Sequence, residues 1–417
     1  MRVNRASRIC KTMFPEQIET SRRTPLIMKL AAGFLAFVGI VAGASAQGRS
    51  NPSAMEQNID AIFAPLVTPN SPGVAVLVVK DGKKLFERGY GLRDLNSAAK
   101  IDPRTNFRLA SCSKQFTAMA IMLLVHDGKL RYDQKLTDIF PDFPEYGKSI
   151  SIRNLLNHTG GLQDYETLME RPDHKGKWTD GHQIQDAEVL TLLEQTDHGM
   201  SPPGTQWYYS NSGYVVLGLI VTKASGQSFP EFLRQRIFSP LKMDHTLAYV
   251  KGQNEITNRA YGHTKEGNTW KQTDQSSTSA TLGDGGIYSS LEDLAKWDEA
   301  LRTNKILSEE EMQPALTPVT LPATSANGDA QPRWPANSDR PEGTPVSYGF
   351  GWFLDPYRTH PRMWHYGETM GFHSYIIRFP SDHLTTIILC NRTDISPECL
   401  ALQIANLFLA HQNKIEF

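Results

Sequence analysis

Apolar runs of strand length lie near the two ends of the chain, and apolar residues recur at helical spacing through much of its middle. Residues 73–91, GVAVLVVKDGKKLFERGYG, are rich in valine and aromatic residues around Asp81-Gly82, which predicts two strands joined by a tight turn. Near the other end, MWHYGETM, FHSYIIRF and LTTIILCN follow in succession, with Pro380-Ser381-Asp382 before the last. They predict three more strands in meander order. Helical spacing returns in ECLALQIANLFLAHQ, as it does near the start in AMEQNIDAIFAPLV. Residues 111–310 read as helical segments and long loops, and residues 317–346 as a Pro-rich surface excursion able to act as a lid. No solenoid repeat is visible. The pattern predicts an α+β fold: an antiparallel five-stranded sheet built from both chain ends and flanked by helices, with a mostly helical inserted lobe. A cleft is expected where the two meet.

The first residues stand apart. Arg22, Arg23 and Lys29 precede the apolar run 30–43, and Ala44-Ser45-Ala46 follows it, the layout of a secretory signal peptide over residues 1–46. A start at Met28 would give a compact leader, MKLAAGFLAFVGIVAGASAQ. The run is shorter than the roughly 20 residues a membrane span needs. The expectation is a mature domain over 47–417, periplasmic or secreted, with no stable membrane span after cleavage. At 417 residues and 40% hydrophobic the chain can bury one large core or two ordinary ones. A net charge of −1, with no Lys/Arg stripe after residue 50, argues against nucleic acid as a partner. With Cys10 in the leader, Cys390 and Cys399 are the pair that could form a disulfide, and Cys112 reads as a small packed apolar residue. No C-x-x-C or H-E-x-x-H occurs, so no metal site and no cofactor are expected.

Candidate chemistry begins at residues 109–130, LASCSKQFTAMAIMLLVHDGKL. S-x-x-K occurs here as Ser111/Lys114, and again as Ser97/Lys100 and Ser239/Lys242. Ser97 lies in a polar turn, and Ser239 precedes a proline that restricts it to extended geometry. Only Ser111 opens an apolar helix, so only there do serine and lysine share one helical face. A serine hydroxyl is a weak nucleophile that needs an adjacent base, and a lysine can serve if burial disfavours its charged form. A helix N-terminus adds positive potential at the same spot. On spacing alone an N-cap serine with a solvated lysine fits as well. Two further segments change that balance. Tyr209-Ser210-Asn211 lies in a loop before another apolar helix, and His365-Tyr366-Gly367 lies in the first strand of the closing meander. H-x-G also occurs at His126 and His158, but only the His365 copy falls on a predicted strand.

In order and context FRLASCSKQFTA, LLNHTGGL, PGTQWYYSNSGY, TLGDGGIYSSLEDLAKW and HYGETMGFHS resemble the serine β-lactamase-related hydrolases. That family includes class C β-lactamases, D-alanyl-D-alanine carboxypeptidases, D-aminopeptidases and β-lactamase-like esterases, and the resemblance implies its transpeptidase-like fold. It also implies that Ser111 attacks a carbonyl and becomes acylated. Lys114 and Tyr209 would together handle the proton, with Tyr209 relaying to the leaving group, and Asn211 would hydrogen-bond Lys114 or the substrate amide. The backbone N–H groups of Ser111 and Glu368 would form the oxyanion hole, Glu368 following His365-Tyr366-Gly367. His158 reads as a buried polar residue shaping the loop beneath the site.

The third motif departs from the class C pattern Lys-Thr-Gly, whose lysine favours a substrate carboxylate. His365 is only partly charged near neutral pH, and Tyr366 replaces a small hydroxyl residue. This points toward the peptidase, D-aminopeptidase and esterase branches, and the lipase elbow G-x-S-x-G is absent. The expectation is an exported serine hydrolase acting through an acyl-enzyme on D-amino-acid peptides, amides or small esters. Its partner would be a small-molecule or peptide substrate, peptidoglycan-derived peptides included. The alternatives are a β-lactamase and a non-catalytic penicillin-binding or cell-wall-sensing module. The intact Ser111, Lys114, Tyr209 and Asn211 argue against the last.

Overall fold

The structure is a computed structural model that describes residues 53–322, 331–334 and 343–409. The expected signal peptide lies outside the described residues, as do parts of the Pro-rich stretch. Helix α1 (Ala54–Phe63) opens with a reciprocal cap: Ser53 N donates to Glu56 Oε2 at 2.7 Å and Glu56 N donates to Ser53 Oγ at 3.2 Å.

From residue 62 onward the chain forms one compact unit around a sheet. Strands β1 (Val74–Lys80) and β2 (Lys83–Tyr90) form a hairpin. Its two turn residues, Asp81 and Gly82, both take positive φ, 53° and 72°, as a two-residue turn between right-twisted strands requires. Strands β3 (Met363–Thr369), β4 (Phe372–Phe379) and β5 (Leu384–Cys390) form the closing meander. The sheet order is β3-β4-β5-β1-β2 with every pair antiparallel. The seam where the two chain ends join is the β1–β5 pair, running from Val74 opposite Cys390 to Lys80 opposite Leu384. The expected five-stranded sheet is therefore present.

Strands β4 and β5 are buried at every residue, because helices and loops cover both faces. That is why they read as continuous apolar runs rather than as an alternation. Three helices matter for the site. These are α2 (Lys114–His126), α3 (Tyr165–Met169) and α4 (Asn211–Ser225), while α5 (Leu291–Arg302) packs on β1 and α6 (Pro397–Leu409) on β4 and β5. Helix α2 is buried on all sides from Lys114 to Leu124 and packs along α4 at the heart of the inserted lobe. That lobe also holds short strands, such as His263–Glu266 and Ile287–Ser289, which the pattern did not predict. They are too short for an alternation to show. Among the described residues no helix is long and apolar enough to cross a membrane.

Two expectations are corrected here. Cys390 is a buried free thiol at the end of β5, enclosed between β1 and β4, so it does not pair with Cys399. The described part of the Pro-rich stretch is also more than a surface excursion. Trp334 is buried, held by backbone hydrogen bonds to Gly343 and Thr344, and packs against Trp207 and Phe353.

Candidate active site

Ser111 does not cap a helix. It sits within the 3-10 turn Ala110–Ser113, and α2 begins after it at Lys114 with Ser113 as N-cap residue and no side-chain cap. Ala110 is held at φ 49°, a left-handed conformation that is costly for a residue with a Cβ. The strained turn leaves the Ser111 hydroxyl unused by the helix and part-exposed.

Lys114 is fully buried, which overturns the solvated-lysine reading. Its Nζ lies 3.1 Å from Ser111 Oγ, 2.8 Å from Asn211 Oδ1 and 2.9 Å from the Asp284 carbonyl oxygen. Two of these partners can only accept; the serine hydroxyl can also donate. When Lys114 loses a proton, its two remaining N–H bonds are therefore kept by Asn211 and Asp284. The lone pair is left facing Ser111. Burial lowers the Lys114 pKa to about 8, with the charges of Asp284 and Glu166 pulling the other way.

Local folding fixes each partner. The Asp284 carbonyl is presented by a loop pinned to α2, where Thr117 Oγ1 donates to Gly283 O at 2.6 Å and Ile287 N donates to Ser113 Oγ at 3.1 Å. Gly283 permits the approach, since a Cβ there would lie 2.2 Å from Tyr214 O. Asn211 is the first residue of α4. Ser210 caps this helix by accepting from Gly213 N at 3.0 Å, while its own N–H donates to His158 Nδ1 at 3.1 Å. His158, at φ 63° and fully buried, thus shapes the loop on which Tyr209 and Asn211 stand.

Tyr209 packs against the tilted ring of His158, with ring centroids 4.5 Å apart, and parallel to the ring of Phe353 at 6.4 Å. The Lys114 ammonium lies 4.9 Å from its ring centroid. The phenol is buried and meets no partner at full hydrogen-bond geometry among the described residues; the Ser111 side chain is its hydrogen-bonding neighbour. Burial, and then Tyr366, hold its pKa well above the usual value, so the resting group is a neutral phenol.

The β3 wall is different in kind. His365 is fully buried, with Nε2 3.1 Å from the Tyr348 hydroxyl and Nδ1 2.6 Å from Tyr366 O. Burial, then Lys114, lower its pKa to about 3, so it is neutral at working pH and offers no cation to a substrate. The partly charged histidine expected at this position is corrected. Gly367 is where β3 touches the Ala110–Ser113 turn: a Cβ there would lie 2.0 Å from Leu109 O and 3.2 Å from Cys112 N. Trp364 exchanges backbone hydrogen bonds of 2.9 and 3.0 Å with Phe353, on the edge of β3 away from β4. Strand alternation then turns the Glu368 N–H to that same edge.

The structure thus brings together Ser111, Lys114, Tyr209 and Asn211, with Gly367 and Glu368 beside them, while His365 stands behind the wall. Three contributors were missed. Asp284 acts through its backbone, for which the glycines of TLGDGG were the one signal. Glu166 lies against Asn211 in a short helical segment with no motif. Phe353 stacks on Tyr209 from outside every motif. No group of residues able to hold a metal ion occurs among the described residues. A surface cavity of about 230 Å³ lies at the far end of α2, lined by His126, Arg236 and Lys305, and includes none of these groups.

The β-lactamase family model matches residues 59–407. The chain belongs to this family. It is 31% identical over 359 residues to penicillin-binding protein 4* of Bacillus subtilis, covering 82% of this chain and 73% of that one. It spans 58% and 63% of two further curated relatives. Among solved structures, D-amino acid amidase from Ochrobactrum anthropi superposes with a TM-score of 0.68 at 25% identity, over 85% of this chain and 99% of that one. An octameric penicillin-binding protein homologue from Pyrococcus abyssi does so with a TM-score of 0.68 at 24% identity, over 85% and 77%. The fold is the β-lactamase/transpeptidase-like one of these neighbours, and the family is one of penicillin-binding and β-lactamase-fold serine hydrolases.

Proposed function

We propose that the chain is an exported, periplasmic or secreted serine hydrolase that forms an acyl-enzyme on Ser111. Its substrates are amides and peptides of D-amino acids or small esters, peptidoglycan-derived peptides included. The observation that carries the reading is the buried Lys114, with two fixed acceptors and its third direction toward Ser111 Oγ. Between Lys114 at about 8 and a Tyr209 phenol held far above its usual value, Lys114 is the group whose free base is within reach near neutral pH.

In this scheme neutral Lys114 takes the Ser111 proton as Oγ bonds to the carbonyl carbon. The oxyanion is met by the Ser111 and Glu368 N–H groups. As the tetrahedral adduct collapses, Tyr209 gives its proton to the departing nitrogen or oxygen and is refilled from Lys114. Water then attacks the acyl ester by the same route in reverse. The neutral His365 supports substrates without a carboxylate beside the scissile bond, and so favours a reading with amides and esters ahead of β-lactams and of carboxypeptidase substrates. The solved D-amino acid amidase neighbour supports the amide branch.

The test is a turnover panel of p-nitrophenyl butyrate, D- and L-alanine p-nitroanilide and nitrocefin, with Ser111→Ala as control. The reading expects ester and D-anilide hydrolysis lost in Ser111→Ala, with D above L and nitrocefin slowest. Nitrocefin turnover equal to ester turnover would favour a β-lactamase. No Ser111-dependent turnover of any substrate would favour a non-catalytic binding module. N-terminal sequencing of the protein recovered from outside the cytoplasm tests export, with Gln47 as the expected first residue.

A further inference from the structure

Behind Lys114 lies a set of acidic side chains that the steps above do not use. Helix α3 is fastened to the start of α4, where Tyr165 N donates to Ser212 Oγ at 2.8 Å and Ser212 Oγ donates to Gln163 O at 2.7 Å. This lays Asp164, Tyr165 and Glu166 alongside Asn211. The Tyr165 hydroxyl reaches Asp284 Oδ2 at 3.4 Å, and Asp284 Oδ1 is buried without a hydrogen-bond partner among the described residues. Glu166 is half-buried, with the Asn211 side chain as its hydrogen-bonding neighbour. Asn211 already uses Oδ1 to accept from Lys114 at 2.8 Å, so what it has to offer a carboxylate is its Nδ2–H. A line of contacts runs from Ser111 Oγ through Lys114 Nζ to the Asn211 amide, and the Glu166 carboxylate is the neighbour of that amide.

We propose that Glu166 is a positioning residue for the nucleophile: it fixes the Asn211 amide with its oxygen toward Lys114 and sets a carboxylate behind the Lys114 amine. This inference rests on the acyl-enzyme reading above. It is not needed for that reading.

The charges on every side bear on the assignment. Glu166 faces Asp164 on its own turn, Asp284 from the loop before Ile287 and Lys114 from α2. Lys114 in turn faces Asp284, Glu166, Cys112 and Asp164, and lies near the buried rings of His158 and His365. Burial, then Asp164 and Asp284, raise Glu166 to about 7, while Lys114 and Asn211 oppose the rise. Glu166 and Lys114 therefore exchange protons with solvent in neighbouring pH ranges and feel each other. An ionised Glu166 stabilises the Lys114 ammonium. Its removal lets Lys114 become free base at lower pH.

The experiment is the pH profile of kcat/KM on p-nitrophenyl butyrate, which carries no titrating group, for the wild type, Glu166→Gln and Glu166→Asp. The proposal expects the acidic limb of Glu166→Gln to move down by about half to one pH unit, with a lowered plateau from a looser Asn211. Glu166→Asp should keep the limb near its wild-type position. If Glu166→Gln does not melt as a folded protein, Glu166→Ser removes the same charge and must move the limb the same way. An unmoved limb in a folded charge-removing variant overturns the proposal, as does an equal shift in Glu166→Asp. Activity that survives Ser111→Ala would instead overturn the acyl-enzyme reading, so the two failures are distinguishable.

Discussion

Lys114 and His365 are both sealed from solvent and both able to carry a positive charge, yet the fold treats them in opposite ways. Burial disfavours the charged form of each. Around Lys114 the fold supplies a carbonyl, an amide oxygen and the charges of Asp284 and Glu166, which hold it at about 8. Around His365 it supplies a tyrosine hydroxyl, one carbonyl and aromatic rings, and the imidazole falls to about 3. One wall of the site therefore stores a proton that can move near neutral pH, and the other is fixed and neutral. Depth of burial does not distinguish the two positions; the surrounding acceptors and acids do.

The sharpest way to break this comparison is to keep the charge at 114 but remove the ability to lose it. Lys114→Arg is expected to cost at least about a thousandfold in kcat, as much as Lys114→Met, because a guanidinium is not deprotonated in proteins. Substantial activity in the arginine variant would mean that position 114 supplies charge and not a base. A second strike moves the two walls apart. Gly367→Ala would drive a Cβ to within 2.0 Å of Leu109 O, so a folded variant should lose about a hundredfold in kcat as the oxyanion donor shifts. Circular dichroism beside the kinetics separates this from unfolding.

The pH profile sharpens the contrast further. In the proposed scheme Lys114 acts as a neutral base, so kcat/KM on a neutral ester should rise with pH through the region of about 8, with no inflection from His365 between pH 5 and pH 6.5. His365→Gln should then change kcat/KM by less than about tenfold and leave the limb in place. A limb that moves with this substitution would show that the histidine titrates. The smallest effect is expected from Trp334→Ala, which removes a ring packed on Trp207 and Phe353 behind Tyr209. A few degrees in melting temperature and a few-fold in kcat are expected, read by thermal denaturation and initial rates.

Much of the frame was legible in the sequence. Strands β1, β4 and β5 are apolar runs rich in Val, Ile or aromatic residues, β2 and β3 were marked by aromatic residues beside turn signals, and Asp81-Gly82 announced its own geometry. The serine–lysine pair was separable from its two look-alikes because only Ser111 opens a helix free of proline and glycine. What stayed hidden depends on long-range packing. Asp284 serves through a carbonyl, to which residue identity is nearly silent, and Glu166 meets Asn211 only because Ser212 fastens two short segments together. The histidine was legible as a position but not as a state. Its neutrality comes from Tyr348 and the aromatic wall, which lie outside its motif. Nor could spacing show that Cys390 ends in the sheet interior, or that Trp334 reaches inward from a Pro-rich stretch.

The central claim is that Ser111 becomes acylated, and intact-mass measurement followed by peptide mapping addresses it most directly. The mature protein would be quenched in acid within seconds of mixing with p-nitrophenyl butyrate and, separately, with a penicillin. The account predicts a mass increase of one acyl group on the peptide containing Ser111, absent in Ser111→Ala. An acyl group on any other residue, or an equal increase in Ser111→Ala, would contradict it.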